Sequence, residues 1–145
     1  MYVKPGQGRS TNAEGRTAIA GGEIGADRVS IFESDQNGNW VRVKLLLPPD
    51  PSPSFNFLFS GALEGDRLAV GAPDRAGSVY VFERHHGGTN AWGLVQELRV
   101  SGAAADQWGV GTDLSGDTLT AWNAANNEGA TSAYGFERNA SGVWK

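Results

Sequence analysis

The sequence predicts an all-β protein in which one unit of roughly fifty residues is used three times. Two observations support this prediction: glycine and large aromatic side chains are abundant, and short apolar runs recur at regular spacing. The chain of 145 residues contains 21 Gly, 5 Trp, 6 Phe and 3 Tyr, a mixture that suits short strands and tight turns. No uninterrupted helical period is visible, so we expect no long helix.

Three kinds of landmark recur in the same order along the chain. Two-residue turns lie at Glu14-Gly15, Glu64-Gly65 and Ser115-Gly116, spaced 50 and 51 residues apart. Phe-Glu dipeptides begin at Phe32, Phe82 and Phe136, spaced 50 and 54. Tryptophans follow at Trp40, Trp92 and Trp144, spaced 52 and 52. We therefore predict a single repeat domain over residues 1–145, with units of about 7–47, 55–100 and 107–145.

Each unit is predicted to contain four antiparallel strands. The first strands are Gly8–Ala13, Phe57–Leu63 and Trp108–Leu114. The second strands are Thr17–Ala20, Arg67–Val70 and Thr118–Ala121, and the third are Arg28–Phe32, Ser78–Phe82 and Ser132–Phe136. The fourth strands are Trp40–Leu46, Trp92–Leu98 and a stub at Gly142–Trp144. The dipeptide Asn37-Gly38 is a strong hairpin signal between the last two strands of the first unit.

The third strand of the second unit is apolar on both sides. Because side chains alternate along a strand, Val79 and Val81 point to one face and Tyr80 and Phe82 to the other. We therefore expect this strand to be covered on both faces. The three tryptophans at equal spacing are predicted to pack between units.

The runs Phe57-Leu58, Gly65-Asp66, Leu68–Pro73 and Gly77–Arg84 resemble the FG-GAP repeat, and Asp106–Gly109 with Leu114–Leu119 resembles it in unit three. This is the repeat of integrin α-subunit β-propellers and of many bacterial extracellular propeller proteins. The resemblance implies that each unit is a four-stranded blade, so that three blades form a partial ring. It also implies an extracellular or cell-surface location, with any export signal outside this chain, because the N-terminus has no apolar core.

Three blades do not complete a propeller, since propellers have about four to eight. Three outcomes follow: the chain is a fragment of a longer protein, copies of it assemble, or it is an open arc with adapted ends. The first two are favoured, and both make further propeller blades, from the same or another chain, the expected partner. The connections Leu63–Arg67 and Leu114–Thr118 are too short for the calcium loop of integrin-type repeats, so no calcium site is carried over.

Composition excludes several classes of function. The net charge of −4 and the scattered Lys and Arg argue against a nucleic-acid partner. No apolar run approaches the length of a membrane span, so we expect no membrane insertion. The chain has 0 Cys, which excludes disulfides and thiol chemistry.

Candidate ligand-binding residues lie in the loops between second and third strands. Asp74 and Arg75 belong to this loop in unit two, where a turn is the simpler interpretation. In unit three the equivalent loop follows an aromatic residue and is rich in amides; its candidates are Trp122, Asn123, Asn126 and Asn127. A ring for stacking and amides for hydrogen bonding could hold a sugar, although a merely polar loop remains the alternative.

Other polar groups are interpreted as turns. His85 and His86 are adjacent on a predicted hairpin tip and would point apart, which makes them poor joint metal ligands. The acidic stretch Asp35–Asn39 lacks a later bidentate acid and is interpreted as a plain Asn-Gly turn. No nucleophile elbow, phosphate loop, zinc spacing or dinucleotide fingerprint is present, so we expect no catalytic residue, metal or cofactor.

These observations lead to two hypotheses and a weaker third. The first is a non-catalytic scaffold or binding module that mediates protein interaction or adhesion. The second is a carbohydrate-binding, lectin-like propeller module that uses Trp122 and the loop after it. The third, an enzyme with its site at the ring centre, has no residue pattern in its favour.

Overall fold

The computed structural model describes residues 11–14, 16–21, 28–49, 57–73, 77–100, 108–123 and 132–145, and these contain strands and turns but no helix. The strands are β1 (Thr11–Glu14), β2 (Thr17–Gly21), β3 (Val29–Ser34), β4 (Trp40–Leu46), β5 (Ser60–Glu64), β6 (Arg67–Ala72), β7 (Ser78–Glu83), β8 (Gly93–Leu98), β9 (Trp108–Ser115), β10 (Thr118–Asn123) and β11 (Ala133–Glu137). The all-β prediction is therefore confirmed for this part of the chain.

The strands form three antiparallel sheets in chain order, and these sheets do not close into a ring. The N-terminal sheet is β1-β2-β3-β4, the middle sheet is β5-β6-β7-β8, and the C-terminal sheet is β9-β10-β11. Each strand pairs antiparallel with its neighbour in sequence, which is the strand order of a meander. The predicted meander in each unit is thus observed where the structure describes it.

The prediction of three four-stranded units is wrong for the third unit, whose sheet has three strands. The expected fourth strand at Gly142–Trp144 is reduced to an isolated bridge between Arg138 and Trp144. Two backbone hydrogen bonds extend this bridge, from Glu137 N to Lys145 O (2.9 Å) and from Lys145 N to Glu137 O (3.1 Å). The turn at 139–142 brings only two residues alongside β11, too few for a ladder.

Two strand starts also differ from the prediction, and both differences have the same cause. Leu58 has a φ of 64° and Trp92 a φ of 49°, which are left-handed conformations that interrupt an extended chain. Strand β5 therefore begins at Ser60 instead of Phe57, and β8 begins at Gly93. The side chains of Phe57, Leu58 and Trp92 are nevertheless buried, at 4%, 1% and 1% exposed. Of the predicted strand Gly8–Ala13, residues 8–10 lie outside the described residues.

The Asn37-Gly38 hairpin is present between β3 and β4, as predicted. Gly38 has a φ of 82°, which favours glycine, and its N–H donates to Asp35 O at 3.1 Å. The Asp35 carboxylate also stabilises the turn, because its Oδ1 accepts hydrogen bonds from the backbone N–H groups of Asn37 (2.8 Å) and Asn39 (2.9 Å). The hydrogen bonds from the backbone and then the side chain of Asn39 hold the pKa of Asp35 below its usual value.

Two apolar clusters fill the spaces between the sheets. The first, between the N-terminal and middle sheets, comprises Ile19, Val29, Ile31, Leu46, Phe57, Leu58, Leu63, Leu68, Val70, Ala72, Tyr80, Phe82 and Trp92. The second, between the middle and C-terminal sheets, comprises Ala62, Ala69, Val79, Val81, Leu98, Trp108, Leu114, Leu119, Ala121 and Trp144, with Val100, Tyr134 and Phe136 against it. The middle sheet is therefore covered on both faces.

Strand β7 shows this double coverage most clearly. Tyr80 and Phe82 belong to the first cluster, whereas Val79 and Val81 belong to the second. All four side chains are buried. The alternation predicted from the sequence is therefore confirmed, and β7 is enclosed on both faces.

Each interface joins an aliphatic face of one sheet to an aromatic face of the next. The aliphatic faces that meet a neighbour carry Val29 and Ile31 in the N-terminal sheet and Val79 and Val81 in the middle sheet. The aromatic faces opposite them carry Tyr80 and Phe82 in the middle sheet and Tyr134 and Phe136 in the C-terminal sheet. The sheets consequently stack in one direction, with the same kind of contact at both interfaces.

The middle and C-terminal sheets approach so closely that glycine is required at the contact. A Cβ on Gly71 would lie 2.0 Å from Gly109 O, and Gly109 itself has a φ of 93°. Ser60 Oγ donates to the same carbonyl at 2.9 Å and lies 3.2 Å from Thr112 Oγ1. Backbone contact and paired hydroxyl groups thus hold these two sheets together at one edge.

Candidate functional site

The predicted ligand loops follow β6 and β10 in the sequence, and the described ends of β2, β6 and β10 lie at one end of the stack. Asp74 and Arg75 in the middle unit, and Asn126 and Asn127 in the third, lie outside the described residues. The structure therefore neither brings these four side chains together nor separates them, and their assignment stays a prediction. Trp122 and Asn123, at the start of the third loop, are described.

Trp122 covers a glycine on the neighbouring strand. It pairs with Gly111 across the β9–β10 ladder, and a Cβ on Gly111 would fall 1.9 Å from Trp122 Cε2. The indole thus occupies the space that a side chain at position 111 would need. Trp122 nevertheless remains 40% exposed, so part of the ring is open to an incoming group. A ring fixed on a rigid strand and open to solvent is suited to stacking.

Asn123 closes the base of the loop that follows it. Its carboxamide Oδ1 accepts from Ser132 N at 2.6 Å, while its backbone N–H donates to Ser132 O at 3.1 Å. The residue is only 6% exposed. Its amide oxygen is therefore already used to join β10 to Ser132, and its assignment as a ligand residue stays a prediction.

A polar cluster that sequence reasoning missed lies at the same end of the middle sheet. Ser78 Oγ donates to Glu97 Oε1 at 2.8 Å, and Arg99 contacts the same oxygen through Nε (2.8 Å) and Nη2 (2.7 Å). Ser78 is fully buried where β7 begins. The only sequence signal was a serine in an otherwise apolar strand, which alone indicates nothing about its partner on β8.

The environment of this cluster shifts two pKa values in opposite directions. Burial raises the pKa of Glu97, but hydrogen bonds from Ser78 and Arg99 outweigh burial, so the net shift is downward. Burial, and then the negative charge of Glu97, raise the pKa of Tyr80. These shifts favour the ionised carboxylate of Glu97 and the neutral phenol of Tyr80 near neutral pH.

Ion pairs between neighbouring sheets mark the opposite end of the stack, where β3, β7 and β11 finish. Arg84 of the middle sheet pairs through Nη1 with Glu33 of the N-terminal sheet, through Nε with Asp66, and through Nη2 with Thr17 Oγ1 at 2.8 Å. Its guanidinium also lies 5.0 Å from the centre of the Trp92 ring. This arginine fastens the first interface.

The second interface repeats this arrangement one sheet further on. Arg138 Nη2 lies 3.2 Å from Glu83 Oε1 of the middle sheet, and its Nη1 lies 3.9 Å from Asp117. Arg67 adds a contact in the other direction, since its Nη1 donates to Gly116 O at 2.7 Å and to Asp117 Oδ1 at 2.9 Å. At each interface an arginine of the later sheet thus meets a glutamate of the earlier sheet.

The two outermost faces of the stack are uncovered by any sheet in the described part of the chain. The N-terminal end face is the aromatic face of the N-terminal sheet and carries the half-buried residues Ser30, Phe32, Trp40 and Leu45. The C-terminal end face is the outward face of the C-terminal sheet and carries Thr120, Trp122, Ala133, Gly135 and Glu137. The predicted packing of tryptophans between units holds for Trp92 and Trp144, whereas Trp40 lies on an end face.

No metal site is evident among the described residues, which contain no group of three or more His, Cys, Asp or Glu side chains placed to hold an ion. His85 and His86 are both exposed in the turn before β8, where His85 Nδ1 accepts from Asn90 N at 3.3 Å. The described residues also include no helix of the length and apolarity needed to cross a membrane.

Comparison with known proteins identifies no family. No family model matches the chain, and no curated protein matches it. The identification of an FG-GAP repeat therefore depends on the residues quoted above and stays a prediction.

Proposed function

We propose that the chain is a non-catalytic scaffold or binding module of an extracellular or cell-surface protein, built as an arc of FG-GAP-type β-propeller blades that mediates protein interaction or adhesion. The observation that supports this proposal is the one-directional stacking of three hairpin-connected sheets, aliphatic face on aromatic face. A repeated contact of this kind continues in the same sense from unit to unit, as the blades of a propeller do.

The use of the polar side chains supports a scaffold more than an enzyme. Arg84 and Arg138, with Glu33 and Glu83, are engaged in contacts between sheets. In the cluster at the other end, the Glu97 carboxylate is engaged by Ser78 and Arg99. The first group of contacts secures the stack and the second lies within the middle sheet, which leaves the loops at the end of the stack and the two outer faces as surfaces for a partner.

Binding to a panel of immobilised extracellular-matrix proteins, measured by surface plasmon resonance, tests this proposal. Saturable binding that Asp74→Ala or Arg75→Ala weakens at least tenfold, with His86→Ala as a matched surface control, is the expected result. Failure to bind any member of the panel would contradict the adhesion function. Turnover of standard hydrolase substrates by the purified chain would contradict its non-catalytic character.

A lectin-like module is the alternative, and one observation favours it. Trp122 is fixed over Gly111 on a rigid strand and remains 40% exposed, which is the geometry of a stacking platform for a sugar ring. A glycan array probed with the purified chain tests this alternative. Specific glycan signals that disappear in Trp122→Ala but persist in Leu94→Ala, whose parent residue is similarly exposed at 37%, would establish it.

A further inference from the structure

An unpaired carboxylate on the C-terminal end face continues the series of interfacial glutamates. Glu33 and Glu83 lie at or next to the last residue of the third strand in their sheets, a position called the corner below. Each pairs with an arginine of the next sheet. Glu137 holds the matching place in β11, since it pairs with Thr118 as Glu83 pairs with Arg67. Its side chain is exposed and forms no ion pair with any described residue. This corner therefore offers a position for an arginine from outside the stack.

An arginine lies at the corresponding corner of the N-terminal end face. Backbone hydrogen bonds identify the corner, because Ser34 N donates to Arg16 O at 2.9 Å as Arg84 N donates to Asp66 O at 2.8 Å. The N-terminal sheet thus has Ser34 where the middle sheet has its interfacial arginine. Arg16 supplies the guanidinium instead, since its Nε (3.1 Å) and Nη2 (2.6 Å) donate to Ser34 O. The group is exposed and fixed at this corner.

The two end faces also match in shape. Phe32 and Trp40 project from the N-terminal end face, in the same way that aromatic side chains project toward the preceding sheet at both interfaces. On the C-terminal end face, Ala133 and Gly135 occupy β11, and a Cβ at Gly135 would meet nothing within 4 Å. The β11 part of this face thus has small residues and open space beside the larger Trp122, and it is able to receive projecting rings.

We propose that two copies of the chain associate head to tail, with the C-terminal end face of each on the N-terminal end face of the other, and with Glu137 of one copy paired to Arg16 of its partner. Such a contact is heterologous, because it joins two different surfaces. Two copies joined by two such contacts would form a closed ring of six sheets, three from each chain. Six sheets fall within the range of about four to eight blades found in closed propellers. The proposal rests on the proposed function, because it assigns an occupant to the outer faces of the same stack.

Sedimentation equilibrium of the purified chain tests the proposal directly. The expected mass is twice the 15.3 kDa of one chain at micromolar concentrations. A mass of one chain at 100 μM, or a mass that keeps rising with concentration, would overturn it. The monomeric result would leave the scaffold function standing, since that function is tested separately by binding to immobilised proteins.

Gly135→Arg is the most selective variant for blocking the contact. Its new side chain enters open space on an extended strand, so the single chain should keep its circular dichroism spectrum and melting temperature. The dimer dissociation constant should rise at least a hundredfold, because the side chain occupies the space reserved for the partner. His86→Arg adds the same side chain to an exposed turn of the middle sheet and should leave association unchanged. Equal behaviour of the two variants would overturn the proposal.

A charge exchange tests the residue pair itself. Glu137→Arg and Arg16→Glu should each weaken association about tenfold, because each places like charges together at the contact. The double variant carrying both changes should recover most of the original affinity, since every contact then has the opposite pair. A role confined to the fold of one chain would give no such recovery, so additive losses in the double variant would overturn the pairing.

Discussion

Arg84 and Glu33 join two sheets across 51 residues of sequence, and this pair anchors the interface between the N-terminal and middle sheets. The side chains are only 15% and 26% exposed, so both charges are partly desolvated. Partly buried charges stabilise a fold only when their partners remain, and removal of one partner leaves an uncompensated charge.

Removal of the arginine should therefore be costly. We expect Arg84→Met to lower the free energy of unfolding by about 1–3 kcal/mol, because Glu33 and Asp66 both lose their partner. Arg99→Met is a suitable control, since Arg99 is 56% exposed and should cost less than about 1 kcal/mol. Urea denaturation of both variants and of Glu33→Gln gives the comparison, and equal losses for Arg84→Met and Arg99→Met would contradict this account.

The glycine contact between the middle and C-terminal sheets makes a second prediction. Gly71→Ala should destabilise the protein by about 1–3 kcal/mol or more, because a Cβ would lie 2.0 Å from Gly109 O and backbone must move. Gly135→Ala provides the matched control at concentrations where single chains predominate, since its Cβ then enters open space and should change stability by less than about 0.5 kcal/mol. Thermal melts of the two variants measure the difference, which would vanish if the sheets were not in contact.

Substitution of Trp40, Trp92 or Trp144 by alanine should lower the free energy of unfolding by different amounts. Trp92→Ala and Trp144→Ala should each cost about 3–5 kcal/mol, because these residues are 1% and 2% exposed and fill the two clusters. Trp40→Ala should cost less in a single chain, since Trp40 is only half-buried on the N-terminal end face. Its cost should increase with protein concentration if a second copy covers that face, so melts at several concentrations distinguish the two environments.

Acid should destabilise the fold through two carboxylates. Asp35 and Glu97 both have folded-state pKa values below their unfolded values, so each contributes stability above its unfolded pKa of about 4. That stability is lost as pH falls through the lower, folded-state pKa. Melting temperatures between pH 7 and pH 2 should therefore decline below about pH 4, and the decline should be shallower in Glu97→Gln. Parallel curves for the variant and the parent would count against the role of Glu97.

Local patterns predicted much of the fold because the relevant information lies within single strands. The alternation of Val79 and Val81 with Tyr80 and Phe82 predicts coverage on both faces, and the structure confirms it. The starts of β5 and β8 were not predicted, because the left-handed backbone at Leu58 depends on packing that a local pattern does not contain.

The candidate site was less predictable for the same reason. The ring of Trp122 and its adjacent loop were apparent from residue type, whereas the hydrogen bond from Ser132 N to Asn123 Oδ1 depends on how the loop closes. The meeting of Ser78 with Glu97 depends on the register between β7 and β8. Contacts between sheets, such as Arg84 with Glu33, involve residues too distant in sequence for a local pattern to pair them.

A disulfide between two sheets tests whether the sheets stack face to face. Ser60 Oγ and Thr112 Oγ1 lie 3.2 Å apart on β5 and β9, and the chain has 0 Cys, so any crosslink must come from introduced residues. We predict that the variant with both Ser60→Cys and Thr112→Cys oxidises fully within one chain, which raises the free energy of unfolding by up to about 4 kcal/mol. Two free thiols that persist in the folded, oxidised sample would contradict the stacking.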